Sequence, residues 1–112
     1  MQPSRNTADT FDVVVLGGGV IGLSVAWRLR QRGLSVAVVD PDPGHGTSWV
    51  AAGMLAPVSE VAYGEERLLG LNIDSARLWP SFAAELEELS GEPSGLWECG
   101  TLVVASDPGD RA

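Results

Sequence analysis

An α/β fold opening with a parallel strand–helix–strand unit is what the sequence predicts, and three observations carry that prediction. Two valine-rich runs, residues 13–16 and 34–39, are separated by a proline-free segment of helix formers. Three consecutive glycines, Gly17, Gly18 and Gly19, stand between the first run and that segment, and Gly22 follows closely. An acid, Asp40, ends the second run. Two strands joined through a helix run parallel, since the crossover returns the chain to its starting side.

Residues 1–10 are polar and aperiodic and are expected to form a flexible tail. The fold is expected to begin near Phe11. Val13, Val14, Val15 and Leu16 are a continuous apolar run of the kind that suits a strand buried on both faces. A helix is predicted over residues 20–32, where Arg28, Arg30 and Arg32 place positive charge at the negative end of the helix dipole. Gly33 stands where a left-handed cap would end it, and residues 34–39 form the second strand.

Three glycines in a row carry a large conformational entropy cost, which a close approach to another group would offset. In the pattern Gly17-x-Gly19-x-x-Gly22, Gly17 permits the tight turn out of the strand and Gly19 lets the main chain approach a diphosphate. Gly22 lets the helix lie close on the sheet, and Ala26 one turn later is also small. Unpaired N–H groups at the helix start then face the phosphates. Asp40 lies 18 positions beyond Gly22, near the spacing at which an acid accepts hydrogen bonds from adenosine ribose hydroxyls and repels a 2′-phosphate. Together these features define a Rossmann-like βαβ dinucleotide-binding unit. The same fingerprint serves NAD and FAD, and leaves the two open.

After Asp40, Pro41, Pro43, Gly44 and Gly46 force an irregular turn where a nicotinamide domain usually proceeds to another crossover helix. Thr47, Ser48, Trp49, Val50, Ala51, Ala52, Gly53 and Met54 come next. Small residues there would let the backbone run beside a large flat ligand; alternatively, Thr47 or Ser48 caps a turn ahead of a short helix.

Over the 112 residues a hydrophobic share of 45% and a charged share of 20% are those of an ordinary soluble globular protein. The net charge of −8 repels nucleic acid and anionic lipid alike, so neither nucleic acid nor membrane is expected as a partner. The longest uncharged run is too short and glycine-rich to span a membrane. One cysteine, Cys99, and one histidine, His45, make no metal ligand set and fit a reducing, cytoplasmic setting. His45, in a proline–glycine turn, is expected to be exposed and without a catalytic role, and Cys99 to pack as a small apolar residue.

From residue 65 to 90, Leu68, Leu71, Leu78, Trp79, Phe82, Leu86 and Leu89 recur at helical spacing, with Glu85, Glu87 and Glu88 largely opposite as a solvated face. Pro80 predicts either a kink or the start of a second helix. Gly91, Glu92 and Pro93 close this helical segment, and residues 96–98 and 101–105 read as two short strands around Gly100. Asp107 and Pro108 suggest another helix start. A parallel sheet needs more than two strands and cover on both faces, so the chain is expected to be a truncated part of a larger protein.

The glycine fingerprint, Asp40 and the stretch GTSWVAAGMLAPVSEVAYGEE resemble the amino-terminal part of the D-amino-acid oxidase superfamily of FAD-dependent amine oxidases, and within it the glycine oxidases of thiamine biosynthesis. The resemblance runs from about Phe11 to Asp107. It implies FAD as cofactor, with Val20, Ile21, Asp40 and Pro41 beside its ADP half, and Thr47 and Ser48 near the phosphates and ribityl chain. Ala52, Gly53 and Met54 would lie beside the isoalloxazine, Met54 nearest the substrate, and Ala51 would also belong to the cofactor site. Some relatives carry a flavin-linking histidine where Val50 stands here, so the resemblance implies a non-covalently held flavin. It divides the chain into a tail at 1–10, an FAD-binding βαβ unit and loop at 11–62, a helical segment at 63–92, and the first strands of a substrate domain at 93–112.

The implied reaction oxidises glycine or a similar small amino acid to the imine, with dioxygen leaving as hydrogen peroxide. The groups that hold the substrate lie outside these residues, so no catalytic residue is expected here; self-association is left open. A non-catalytic nucleotide-binding remnant and a fragment of an NAD-dependent dehydrogenase are the alternatives, though the latter does not account for the TSWVAAGM stretch.

Overall fold

The computed structural model describes residues 10–104 and 106, and the chain divides into two compact units between Gly53 and Met54. The tail assigned to residues 1–10 and the helix start at Asp107 therefore lie, apart from Thr10, outside the described residues.

In the first unit β1 (Val13–Leu16) and β2 (Val36–Val39) form a two-stranded parallel sheet, with Val13 opposite Val36 and Leu16 opposite Val39. Helix α1 (Val20–Gln31) makes the crossover and packs on both strands. A clasp at the strand entrances helps set this register: one Asp12 carboxylate oxygen accepts from the Ser35 N–H at 2.8 Å and from the Ser35 hydroxyl at 2.6 Å. These two bonds hold the Asp12 carboxyl below its ordinary value.

The expectation that β1 is buried on both faces is corrected. Val13 and Val15 are half-buried, whereas Val14 and Leu16 are exposed, Leu16 by 80%. Among the described helices and strands only α1 packs on this sheet, and alternate side chains of β1 are exposed. Ala26 of α1 is buried.

Helix α1 ends one residue before the predicted limit, with Arg32 as its cap. The Gly33 N–H donates to the Arg30 carbonyl at 2.9 Å and the Leu34 N–H to the Leu29 carbonyl at 3.2 Å, which occupies carbonyls the helix leaves unpaired. This closure requires the left-handed backbone at Gly33, where φ is +83°. Arg30 adds a bond from its guanidinium to the Leu34 carbonyl.

A single helical turn, α2 (Thr47–Val50), follows the Pro–Gly loop. Its cap position is Gly46, so neither Thr47 nor Ser48 caps it. The short helix of the second alternative forms, without the capping role.

In the second unit, turns over residues 54–65 lead into α3 (Glu66–Ser90). The Glu65 carboxylate accepts from the Ala62 N–H at 3.1 Å and fixes the entry. The helix runs through Pro80 as one element rather than restarting there. Trp79 and Phe82 meet edge to face across one turn, ring centroids 5.3 Å apart, and Ala83 is buried. At the exit the Gly91 N–H donates to the Glu87 carbonyl, and one Glu87 carboxylate oxygen accepts from the Ser94 N–H and hydroxyl.

The strands expected at 96–98 and 101–105 are not formed over the described residues 96–104. A strand needs a neighbour to receive its N–H and C=O groups, and no ladder partner adjoins these residues. Leu102, Val103 and Val104 are each at least 73% exposed. Cys99, expected to pack, is exposed as well. Among the described residues, no helix is long and apolar enough to cross a membrane.

Candidate dinucleotide site

The site grows out of the turn between β1 and α1. The chain leaves β1 with the Gly17 N–H donating to the Val39 carbonyl at 2.9 Å, then reverses at Gly17 with φ of +102°, a conformation side-chain-bearing residues rarely adopt. At Gly22 the requirement is space: a Cβ there would stand 1.9 Å from the Gly17 carbonyl oxygen. Helix and turn thus touch backbone to backbone, as the fingerprint predicts. At Gly19 an added Cβ would stand 3.1 Å from the Ser48 hydroxyl oxygen.

The first turn of α1 presents N–H groups that an α-helix leaves without internal acceptors. The Val20 N–H donates to the Ser48 hydroxyl oxygen at 3.0 Å. Among the described residues, the N–H groups of Gly19, Ile21 and Gly22 have no protein acceptor. These three residues line an open groove of about 540 Å³, together with Gly17, Val20, Thr47 and Ser48. Val15, Leu16 and Val25 give the groove an apolar wall. An anion beside these amides gains hydrogen bonds and the favourable end of the helix dipole together.

Asp40 sits against the glycine bend, as the ribose-binding expectation requires, but its carboxylate also serves the backbone. One oxygen accepts from the Gly18 N–H at 2.7 Å and the other from the Asp42 N–H at 2.8 Å. The Gly18 amide, followed by that of Asp42, holds the Asp40 carboxyl below its ordinary value.

The structure therefore brings Gly17, Gly19, Val20, Ile21, Gly22, Thr47 and Ser48 around one groove, with Asp40 bonded to the turn that forms it. It does not gather the remainder. Pro41 is exposed at the start of the Pro–Gly loop, and Ala51, Ala52 and Gly53 run exposed beyond α2 without lining the groove. Met54 opens the second unit and is 73% exposed. His45 is exposed as expected, with its Nδ1 3.1 Å from an Asp42 carboxylate oxygen and its ring 5.2 Å from that of Trp49.

Gly18 is the residue that sequence reasoning passed over. It is buried, and an added Cβ would stand 2.9 Å from the Pro43 Cβ. The signal was present in the middle glycine of the run, which the Gly17-x-Gly19-x-x-Gly22 spacing leaves unexplained.

The donor set suits a diphosphate: three amides at a helix start and a hydroxyl beside them, with a carboxylate at the adjoining turn. A family model for FAD-dependent oxidoreductases, DAO, matches residues 12–112. The chain is 42% identical over 94 residues to a protein of Trichormus variabilis named bifunctional protein ThiO/ThiG, covering 84% of this chain and 14% of that protein. It is 38% identical over 97 residues to a glycine oxidase of Geobacillus kaustophilus, covering 86% of this chain and 26% of the relative. A 4-methylaminobutanoate oxidase of Paenarthrobacter nicotinovorans is 35% identical over 98 residues, 86% of this chain and 11% of that protein. The chain thus spans between about a tenth and a quarter of the length of these relatives. A match over nearly the whole of this sequence, on a βαβ unit with its glycine turn and terminal acid in place, means that the chain belongs to the DAO family of FAD-dependent oxidoreductases.

Proposed function

We propose that this chain is the FAD-binding amino-terminal part of an amine oxidase acting on glycine or a similar small amino acid, in the service of thiamine biosynthesis. The observation that carries the reading is the α1 amino terminus, where Gly19, Ile21 and Gly22 line the groove beside Ser48 and their N–H groups have no protein acceptor among the described residues, in a chain matched by the DAO model over residues 12–112. The relatives named ThiO/ThiG and glycine oxidase support the substrate class, and the 4-methylaminobutanoate oxidase marks the breadth of amines handled by similar chains.

In this reading the α1 amides and the Thr47 and Ser48 hydroxyls hold the diphosphate, and Asp40 accepts from the adenosine ribose. Small side chains at Ala51, Ala52 and Gly53 let the backbone lie beside the ring system, with Met54 toward the substrate. Pro41 borders the ADP half. Val50 offers no nucleophile, so the cofactor is held without a covalent bond. When bound, FAD supplies a two-electron acceptor: the amine becomes an imine that water hydrolyses, and dioxygen carries the electrons away as hydrogen peroxide. The protein's share is to bind and orient; none of the residues 10–104 is assigned as an acid or base.

The test is the visible spectrum of the purified full-length protein and its release of hydrogen peroxide with glycine, sarcosine and 4-methylaminobutanoate. Flavin absorption released by acid precipitation, with peroxide formed from glycine, is the expected result. A colourless protein that stays inactive with added FAD overturns the proposal.

A further inference from the structure

The Asp40 carboxylate is expected to face a sugar, yet both of its oxygens already hold backbone amides. Gly18, one of those two amides, is buried in the middle of the glycine turn. Its carbonyl is occupied as well, receiving the Gly44 N–H at 2.9 Å. The Pro–Gly loop is thus tied to the glycine turn on both sides of one residue. Packing closes the arrangement, for a Cβ on Gly18 would meet the Pro43 Cβ at 2.9 Å and the Asp40 Cβ at 3.1 Å.

We infer that Asp40 is a positioning residue for the diphosphate: by clamping the Gly18 and Asp42 amides, its carboxylate fixes the turn that aims the Gly19, Ile21 and Gly22 N–H groups. This rests on the FAD-binding reading above and adds a role that a sugar contact alone does not contain. A buried N–H needs an acceptor, and in an unclamped turn Gly18 would rotate or open to water to find one. Such a rotation turns the Gly17–Gly18 peptide and shifts the Gly18 Cα, on which the next peptide plane, with the Gly18 carbonyl held by Gly44 and the Gly19 N–H, is hung. Asp40 remains able to accept from ribose, since a carboxylate offers about four lone-pair sites and the clamp uses two. Pro43 and Gly44 also become part of the cofactor site by holding the turn from behind.

The two roles separate with a cofactor lacking the sugar hydroxyls. FAD and its 2′,3′-dideoxyadenosine analogue are titrated into the full chain by flavin fluorescence, for the wild type, Asp40→Ala and Asp40→Asn. The clamp predicts that Asp40→Ala weakens the analogue by about tenfold, the worth of a charge-assisted hydrogen bond. Asp40→Asn, which keeps one acceptor oxygen, weakens it less. If Asp40→Ala weakens FAD but leaves the analogue at wild-type affinity, Asp40 is only a sugar contact and the inference fails. Amide exchange at Gly18 gives a readout that needs no cofactor: in Asp40→Ala it is expected to accelerate tenfold or more, while the Val15 amide inside β1 stays protected. Unchanged exchange at Gly18 overturns the clamp. A wild-type protein that binds neither FAD nor the analogue overturns the FAD reading instead, and leaves the exchange result to decide the clamp.

Discussion

Replacing Gly22 by alanine tests the contact on which the whole site depends. The new Cβ would lie 1.9 Å from the Gly17 carbonyl oxygen and 3.0 Å from the carbon bonded to it. Carbon contacts settle at about 3.5–4.0 Å, so α1 must withdraw from the turn by roughly 1.5 Å. The obstacle is backbone on both sides, which cannot yield by changing rotamer. Overpacking of this kind costs about 1–3 kcal/mol, and a rigid backbone partner places Gly22→Ala near 3 kcal/mol. Gly33→Ala is the control: nothing stands within 4 Å of its Cβ, but φ of +83° imposes strain of about 1–2 kcal/mol. Urea denaturation followed by circular dichroism measures both, and FAD titration separates them. Gly22→Ala should lose affinity together with stability, because the α1 amides move away from the groove, whereas Gly33→Ala should lose stability alone. Should Gly22→Ala match Gly33→Ala in stability, or bind FAD as the wild type does, the close approach is not what makes the site.

Three further outcomes follow from the same geometry. Ser48→Ala removes the acceptor of the Val20 N–H and should cost about 1 kcal/mol in urea, while Ser48→Thr, which keeps the hydroxyl, recovers most of it. Asp12 and Asp40 both have carboxyls held below the ordinary 3.8 by hydrogen bonds to their charged form. Their contribution is therefore complete above about pH 3.8 and is lost as pH falls from there through the lowered values; melting temperatures between pH 2 and 6 should show this acid limb, flatter in Asp40→Asn. Pro80→Ala restores a backbone donor inside α3 and should raise stability by about 1–3 kcal/mol, read as a higher urea midpoint with no change in FAD affinity.

Much of this molecule was legible from local pattern. Two valine runs, a helix-forming segment between them and Gly33 at its end determine a βαβ unit whose observed limits depart from the expected ones by one or two residues, because strand propensity, helix propensity and capping are properties of neighbouring residues. The fingerprint glycines were equally legible, since Gly17 needs a backbone sign and Gly22 an absence of volume, both carried by residue type alone. Only the tertiary structure decided where the acid goes: that Asp40 holds the buried Gly18 amide depends on the loop at Pro43 and Gly44 folding back across the turn, a contact spanning more than twenty residues. It likewise assigned the Ser48 hydroxyl to α1 rather than to its own helical turn. Residues 96–98 and 101–104 have strand-like composition but form no strand, because a ladder is made by two segments and one sequence window cannot specify the second. Local chemistry set the elements and the permitted backbone angles, while the hydrogen-bond partners of buried amides, being distant in sequence, were settled by the packed chain.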